Sequence, residues 1–132
     1  MLEIAVTTVF SLAAGGIGWL LFHLVGKHLI KFYELRSDIH EALVYHANVR
    51  DDTLEPYRSD ARDELRRLAA CLAALDIALT KPNRAFMTKR QYDLERAVGD
   101  LIGLSNSFHK DGGGDWRAFR QGVSKALKLP LR

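Results

Sequence analysis

The hydrophobic pattern divides the chain into one uninterrupted apolar run and a longer part in which apolar residues recur at helical spacing. The run covers residues 4–26 and contains no Asp, Glu, Lys or Arg. A helix of this length extends about 34 Å, and the hydrocarbon core of a bilayer is about 30 Å thick. We therefore predict that residues 1–27 form a transmembrane anchor.

A cleaved signal peptide is the alternative interpretation of the run. Such peptides begin with a basic segment, have a shorter apolar core and end at a small-residue cleavage site. Here the run follows the acidic Glu3 and ends in Gly26-Lys27-His28. These features favour an uncleaved anchor.

After the run, apolar or small residues follow a three-four spacing in three segments, which are Lys27–Val49, Tyr57–Leu79 and Lys89–Phe108. This spacing places one stripe on each of three amphipathic helices. The stripe residues are Phe32, Leu35, Ile39, Ala42, His46 and Val49 in the first segment, Ala61, Leu65, Leu68, Leu72, Leu75 and Leu79 in the second, and Leu94, Val98, Leu101, Ser105 and Phe108 in the third.

Prolines and capping residues predict where these helices begin and end. Thr80–Asn83 ends the second helix, because the residue before a proline avoids the helical region. Thr88 and Gln91 have the spacing of a capping box at the start of the third helix. Asp115 can cap a short fourth helix, Trp116–Leu127.

Together these elements predict an all-α fold in which the N-terminal transmembrane helix continues, without a break at Gly26, into a small cytosolic helical bundle. The predicted parts are the anchor at residues 1–27, a three-helix bundle at 28–110, and a Gly-rich hinge with a basic amphipathic helix at 111–132. The leucine stripe of the second helix also permits self-association through a coiled coil. An intramolecular bundle is the commoner outcome for such a stripe.

Three blocks of sequence resemble those of an uncharacterised group of small bacterial single-pass membrane proteins with a helical cytosolic domain. The blocks are residues 40–49 (HEALVYHANV), 64–69 (ELRRLA) and 101–107 (LIGLSNS). The resemblance covers most of residues 30–108. It implies the location and the fold, and it carries no activity and no functional residue to this chain.

The charges that flank the apolar run predict its orientation. Glu3 lies before the run, whereas Lys27, Lys31 and Arg36 follow it. Positive residues stay on the cytoplasmic side of a membrane. We therefore expect a single-pass protein of the bacterial inner membrane with its C-terminal domain in the cytosol.

Two basic segments indicate partners besides the membrane core. Residues 80–90 carry four basic residues and no acid, and residues 109–132 carry six basic residues and two acids. A tethered protein with this charge is attracted to anionic lipid headgroups. We expect these headgroups, and a protein partner or a second copy in a homo-oligomer, as partners. We do not expect nucleic acid, because no nucleic-acid-binding fold is recognisable in the chain.

The C-terminal helix is the segment in which lipid contact and bundle packing compete. Its apolar side carries Trp116, Phe119, Val123 and Leu127, and basic residues occupy its other faces. Such a helix can lie in a membrane interface, or its aromatic residues can cap the bundle. The candidate lipid contacts are Trp116, Arg117, Phe119, Arg120, Lys125 and Lys128.

No motif for catalysis, metal binding or a cofactor stands out from the sequence. Cys71 is the only cysteine, and none of the five histidines has a second histidine three or four positions away, as a helical metal site requires. The glycines at 112–114 lack the Lys and Ser or Thr of a phosphate-binding loop. We therefore expect a protein that is not an enzyme and uses no cofactor.

One set of polar residues interrupts the apolar stripes. Buried polar groups need partners, so this set can form a structural network that fixes the register of three helices. The alternative is an anion or nucleotide pocket around Arg66 or Arg67. The set consists of Tyr45, His46, Asn48, Arg66, Arg67, Ser105 and Asn106.

These features lead us to expect a membrane-anchored, non-enzymatic scaffold, adaptor or regulator that acts through helix–helix contacts. The alternative is an oligomeric effector of stress or phage defence, whose span perturbs the bilayer when the cytosolic domain receives a signal. Ala14 and Gly18 form a small-residue pair of the kind that lets membrane helices associate.

The charge asymmetry predicts the result of a topology measurement. A reporter fused after Arg132 should behave as cytosolic, and the protein should resist carbonate extraction from membranes. A periplasmic C terminus, or a soluble mature protein that begins near residue 27, would contradict this orientation.

Overall fold

The computed structural model describes residues 1–49, 53–108 and 115–130, and this part of the chain is helical without strands. It confirms the predicted all-α fold, in which a long apolar helix precedes a helical bundle. The helices are α1 (Leu2–Leu21), α2 (Lys27–Tyr45), α3 (Tyr57–Ala78), α4 (Lys81–Lys89), α5 (Leu94–Ser107) and α6 (Trp116–Leu127), and a π-helical segment, Phe22–Gly26, joins α1 to α2.

The chain from Leu2 to Tyr45 is one continuous helix of 44 residues. Its N-terminal part is long and apolar enough to cross a membrane, and no residue of α1 is buried in the protein. Within the π segment the backbone register changes, because the Lys27 amide donates to the carbonyl of Phe22, five residues earlier. The sequence pattern predicted the continuity of this helix but not the π segment.

The four longer helices of the bundle, α2, α3, α5 and α6, alternate in direction. α2 leads away from α1, and α3 returns along it, because Glu64 meets the end of α2 and Thr80 meets Leu24. α3 packs against α5, which packs against α6. We call the end of the bundle at the π segment the near end, and the end at the α2–α3 connection the far end. Val123 and Leu127 of α6 belong to the same buried core as Leu68 and Leu72 of α3. The C-terminal helix is therefore part of the core.

The core contains nearly all of the predicted stripes. Every stripe residue of the first two segments is buried, and in the third only Val98 is half-buried. Cys71 is half-buried and packs against the core.

The predicted boundaries of the first and third helices are wrong. α2 ends at Tyr45 rather than Val49, and the following residues form a turn. The predicted capping box does not form, because Thr88 lies inside a short helix, α4, that the sequence reading missed. Gln91 then takes a left-handed conformation (φ 61°) that ends this segment. Asp93 caps α5 by accepting a hydrogen bond from the Arg96 amide at 3.0 Å.

Two glycines allow α6 to approach α5 closely. A methyl group on Gly103 would lie 2.5 Å from the nearest ring atom of Phe119, and one on Gly122 would lie 1.9 Å from a carboxylate oxygen of Asp100. Nonbonded atoms do not approach so closely, so a side chain at either position would displace Phe119 or Asp100. The predicted hinge at residues 111–114 lies outside the described residues.

The close approach predicts opposite effects of alanine at two glycines of α5. We expect Gly103→Ala to lower the free energy of unfolding by about 1–3 kcal/mol, because the Phe119 ring must leave its position. The matched control is Gly99→Ala, where nothing lies within 4 Å and the gain in helix propensity is about 0.5–1 kcal/mol. Unfolding of the detergent-solubilised full chain measures both. Equal effects at the two positions would contradict the described α5–α6 packing.

Candidate functional site

The structure divides the predicted polar set into two separate contacts. In the first, the Arg66 guanidinium on α3 donates to Asn106 Oδ1 at 2.8 Å and, at 3.4 Å, to Ser105 Oγ. Ser105 is fully buried and its hydroxyl also donates to the Ile102 carbonyl at 2.8 Å. Arg66 therefore connects α3 to the last turn of α5, which fixes the relative position of these two helices.

The second contact joins α2 to α3 at the far end. His46 is buried, and its Nε2 lies 2.5 Å from Glu64 Oε2. The ring of Tyr45 packs edge-on against the His46 ring at 4.9 Å between centroids, while the Tyr45 side chain is exposed. Glu64 is the partner that sequence reasoning missed. It lies four positions after Asp60 among charged neighbours, a pattern that is typical of a helix face exposed to solvent.

The predicted set therefore does not converge on one pocket. Asn48 and Arg67 are exposed. The crevice beside His46 has a volume of about 10 Å³, which is at most the space of one water molecule, and neither Arg66 nor Arg67 lines it. The crevice therefore does not support the predicted anion or nucleotide pocket.

A concave surface larger than this crevice runs along α6. It has a volume of about 670 Å³, within the range of about 300–1,000 Å³ that is typical of ligand clefts. Among the described residues, its lining contains four basic side chains and no acidic one. We call it the α6 groove, and its lining residues are Trp116, Arg117, Arg120, Gln121, Ser124, Lys125, Lys128 and Leu129.

Most of the predicted lipid contacts lie on this groove. Trp116 is half-buried, and the Arg117 guanidinium lies 5.2 Å from the centre of its ring. Phe119 is the exception, because it packs on Gly103 against the bundle. Val123 and Leu127 are fully buried, so the apolar face of α6 is covered by the protein. Lipid contact through this helix stays a prediction.

Both ends of α6 are fixed by hydrogen bonds. The Asp115 carboxylate accepts from the Arg117 and Ala118 amides, as the sequence predicted for this cap. At the other end Lys128 adopts the left-handed conformation (φ 52°), which ends the helix. The last carbonyl groups of a helix have no partner within the helix, and at the C terminus of α6 a side chain of α2 donates hydrogen bonds to two carbonyls.

Arg36 of α2 closes the bundle against the C terminus of α6. Its Nε donates to the Leu127 carbonyl at 2.7 Å, and its Nη2 donates to the Lys128 carbonyl. A guanidinium at the negative end of a helix dipole is favourable in charge as well as in geometry. The amide of Asp93 adds a backbone hydrogen bond to the Ala126 carbonyl at 3.1 Å. The sequence assigned Arg36 only to membrane orientation.

A second contact that the sequence did not reveal lies at the near end. The Leu24 carbonyl in the π segment accepts hydrogen bonds from Thr80 Oγ1 at 2.8 Å and from Asn83 Nδ2 at 3.0 Å. Asn83 is fully buried, and its Nδ2 also donates to Thr80 Oγ1. These bonds attach the α3–α4 connection to the end of the apolar helix.

Two titratable groups have shifted pKa values. Burial raises the pKa of the Tyr92 phenol, and the neighbouring Tyr33 adds to this increase. Tyr92 packs edge-on against Phe32 at 4.8 Å between ring centroids, so the neutral phenol suits its place. Hydrogen bonds from Ser59, and then from Arg58, lower the pKa of Glu55, which precedes α3.

Within the described residues, no three His, Cys, Asp or Glu side chains are close enough to hold a metal ion. The chemistry available at the α6 groove is therefore that of its cations, its amide and hydroxyl groups and one indole. Such a surface can bind an anionic partner by charge and packing.

The closing contact of Arg36 predicts the effect of its removal. We expect Arg36→Met to lower the free energy of unfolding by about 1.5–3 kcal/mol, because two charge-assisted hydrogen bonds to helix carbonyls are lost. Arg67→Met on the exposed side of α3 is the matched control and should change it by less than about 0.5 kcal/mol. Chemical unfolding in detergent measures both, and similar losses for the two variants would argue against the closing contact.

Comparisons with protein-family models, with curated proteins and with solved structures gave no match, so the family resemblance of the three sequence blocks stays a prediction.

Proposed function

We propose that the protein is a membrane-anchored, non-enzymatic adaptor, with α1 as a single span of the bacterial inner membrane and the bundle in the cytosol. The apolar helix and its flanking charges support this location, since Lys27 and Lys31 follow the span and only Glu3 lies before it. Because α1 and α2 form one continuous helix, the orientation of the span then determines where the bundle lies relative to the membrane.

The observation that carries the adaptor role is the α6 groove. In the part of the chain that the structure describes, four cations and no acid line it, and Trp116 and Leu129 add apolar lining. This combination suits an acidic, amphipathic segment of a protein partner, because the charges steer the encounter and the aromatic residue provides a contact of high affinity. The groove exists with α6 docked, so binding requires no rearrangement of the bundle.

The height of the groove above the bilayer favours a protein over lipid as its occupant. Arg36, which holds the C terminus of α6, lies ten residues beyond Gly26, or about 15 Å along the helix. Trp116 lines a crevice with Ala47, beyond the end of α2 and about 30 Å from the π segment. The Debye length is about 8 Å at physiological ionic strength. Headgroup charges are therefore largely screened at the groove.

The membrane effector remains the second candidate function. Gly15 and Gly18 lie on the same side of α1, and among the described residues no atom of another element lies within 4 Å of a methyl group built on either, so this side is open to another membrane helix. Replacement of residues 4–21 by a generic apolar helix, which keeps the π segment and its bonds to Thr80 and Asn83, distinguishes the two functions. The adaptor retains its activity after this exchange, whereas the effector loses it.

Site-specific photocrosslinking in living cells tests the proposed groove. A photoreactive residue at Gln121 should yield an adduct of defined mass with a protein, and Arg117→Glu with Lys125→Glu should abolish it, because reversed charges repel an acidic partner. The control probe is placed at Glu95, an exposed position of α5.

Each other outcome contradicts a stated part of the proposal. A lipid adduct at Gln121 would assign the groove to the membrane, and equal protein adducts at Gln121 and Glu95 would remove its specificity. An adduct with the mass of two chains would identify the partner as a second copy.

A further inference from the structure

The hydrogen bonds to the Leu24 carbonyl place a lysine beside the end of the proposed span. Thr80 and Asn83 both donate to this carbonyl, and Lys81 lies between them in sequence as the first residue of α4. Lys81 is exposed. Its backbone is therefore fixed at the level of the π segment, although it lies 57 positions after Leu24 in the chain.

Two further lysines lie at the same end of the bundle. Lys27 and Lys31 are exposed on the first two turns of α2, about 2 Å and 8 Å beyond Gly26 along the helix. Arg84 is not equivalent to them, because it donates to the carbonyl and carboxylate of Asp76. The near end therefore presents three lysines within about one Debye length of the bilayer surface.

Exposed apolar side chains accompany these lysines. Ile77, in the last turn of α3, is 83% exposed, and Ile30 on α2 is 52% exposed. Isoleucines in water at the near end are unfavourable, whereas the headgroup region of a bilayer accepts apolar side chains beside cations. Charge and apolar surface therefore point to the same occupant.

We propose that Lys27, Lys31 and Lys81 form a binding site for the phosphate of anionic phospholipids, which the bonds of Thr80 and Asn83 to Leu24 assemble at the membrane surface. The site rests on the proposed membrane location and is separate from the α6 groove. It holds the bundle upright on the bilayer, because two chain segments, rather than one helix, bind the headgroups.

An arginine on α3 provides an internal comparison. Arg67 is exposed and lies eleven residues before Ala78, the last residue of α3, or about 17 Å along the helix. Because α3 leads toward the near end, Arg67 is about two Debye lengths from the bilayer surface. It should therefore contribute little to headgroup binding.

Quenching of Trp19 by brominated lipids measures the site. The full chain with Trp116→Phe has Trp19 as its only tryptophan, five residues before Leu24. It is reconstituted in vesicles of brominated phosphatidylglycerol or brominated phosphatidylcholine, and the ratio of the two binding constants is determined. We expect a preference for the anionic lipid, with a contribution of up to about five-fold from each lysine.

Two variants should lower this preference. Lys81→Gln should reduce it by about two- to five-fold, whereas Arg67→Gln, which also removes one positive charge, should leave it within the error of the measurement. Thr80→Val removes one bond to Leu24 without changing any charge. It should also reduce the preference, which a site made by charge alone would not do.

The alternatives give different results. Equal losses for Lys81→Gln and Arg67→Gln, or no loss for either, would overturn the proposed site. Inorganic phosphate at matched ionic strength should not reduce the preference, and a reduction would assign the lysines to a soluble anion. Absence of quenching by both lipids would show that Trp19 is not in the bilayer, which contradicts the membrane location instead.

Discussion

The structure depends on the continuity of the helix from Leu2 to Tyr45. An apolar helix and the first helix of the bundle are one rigid element, so the bundle has no free joint at Gly26. The π segment could have been a weak point, yet its Leu24 carbonyl is held by Thr80 and Asn83. A second chain segment thus supports the helix at the place where its backbone register changes.

The bundle around this helix is closed by a few specific contacts rather than by hydrophobic burial alone. Gly103 allows the Phe119 ring to pack directly on α5. Arg36 then joins the C terminus of α6 to α2, which makes the last helix contact the first helix of the bundle. With its apolar face covered, α6 presents cations to the solvent. The same packing that stabilises the fold therefore creates the α6 groove.

Helical spacing predicted the fold well, because apolar residues at this spacing lie on the helix face that packs into the core. Leu68 and Leu72 are four positions apart, so they share one face of α3, and both are buried. The α4 segment was missed because it has nine residues and few apolar positions, too few for a period to be visible. The capping box predicted at Thr88 does not form, because two residues of this type and spacing often occur by chance. Asp93 caps the N terminus of α5 instead.

The candidate sites were less predictable, because they depend on contacts between distant segments. Arg66 and Asn106 were assigned to one polar set, and they do meet, but the partner of His46 is Glu64, which resembled a solvated acid. The bonds of Thr80 and Asn83 to Leu24 cross more than fifty positions and involve a backbone carbonyl, which no side-chain pattern encodes.

The most direct test of the upright bundle uses chains with Cys71→Ala and one fluorophore, either at Ala78→Cys, an exposed position at the near end, or at Ser124→Cys on α6, in vesicles with a headgroup-attached quencher. The account predicts strong quenching at position 78 and little at position 124, and equal or stronger quenching at position 124 would contradict it.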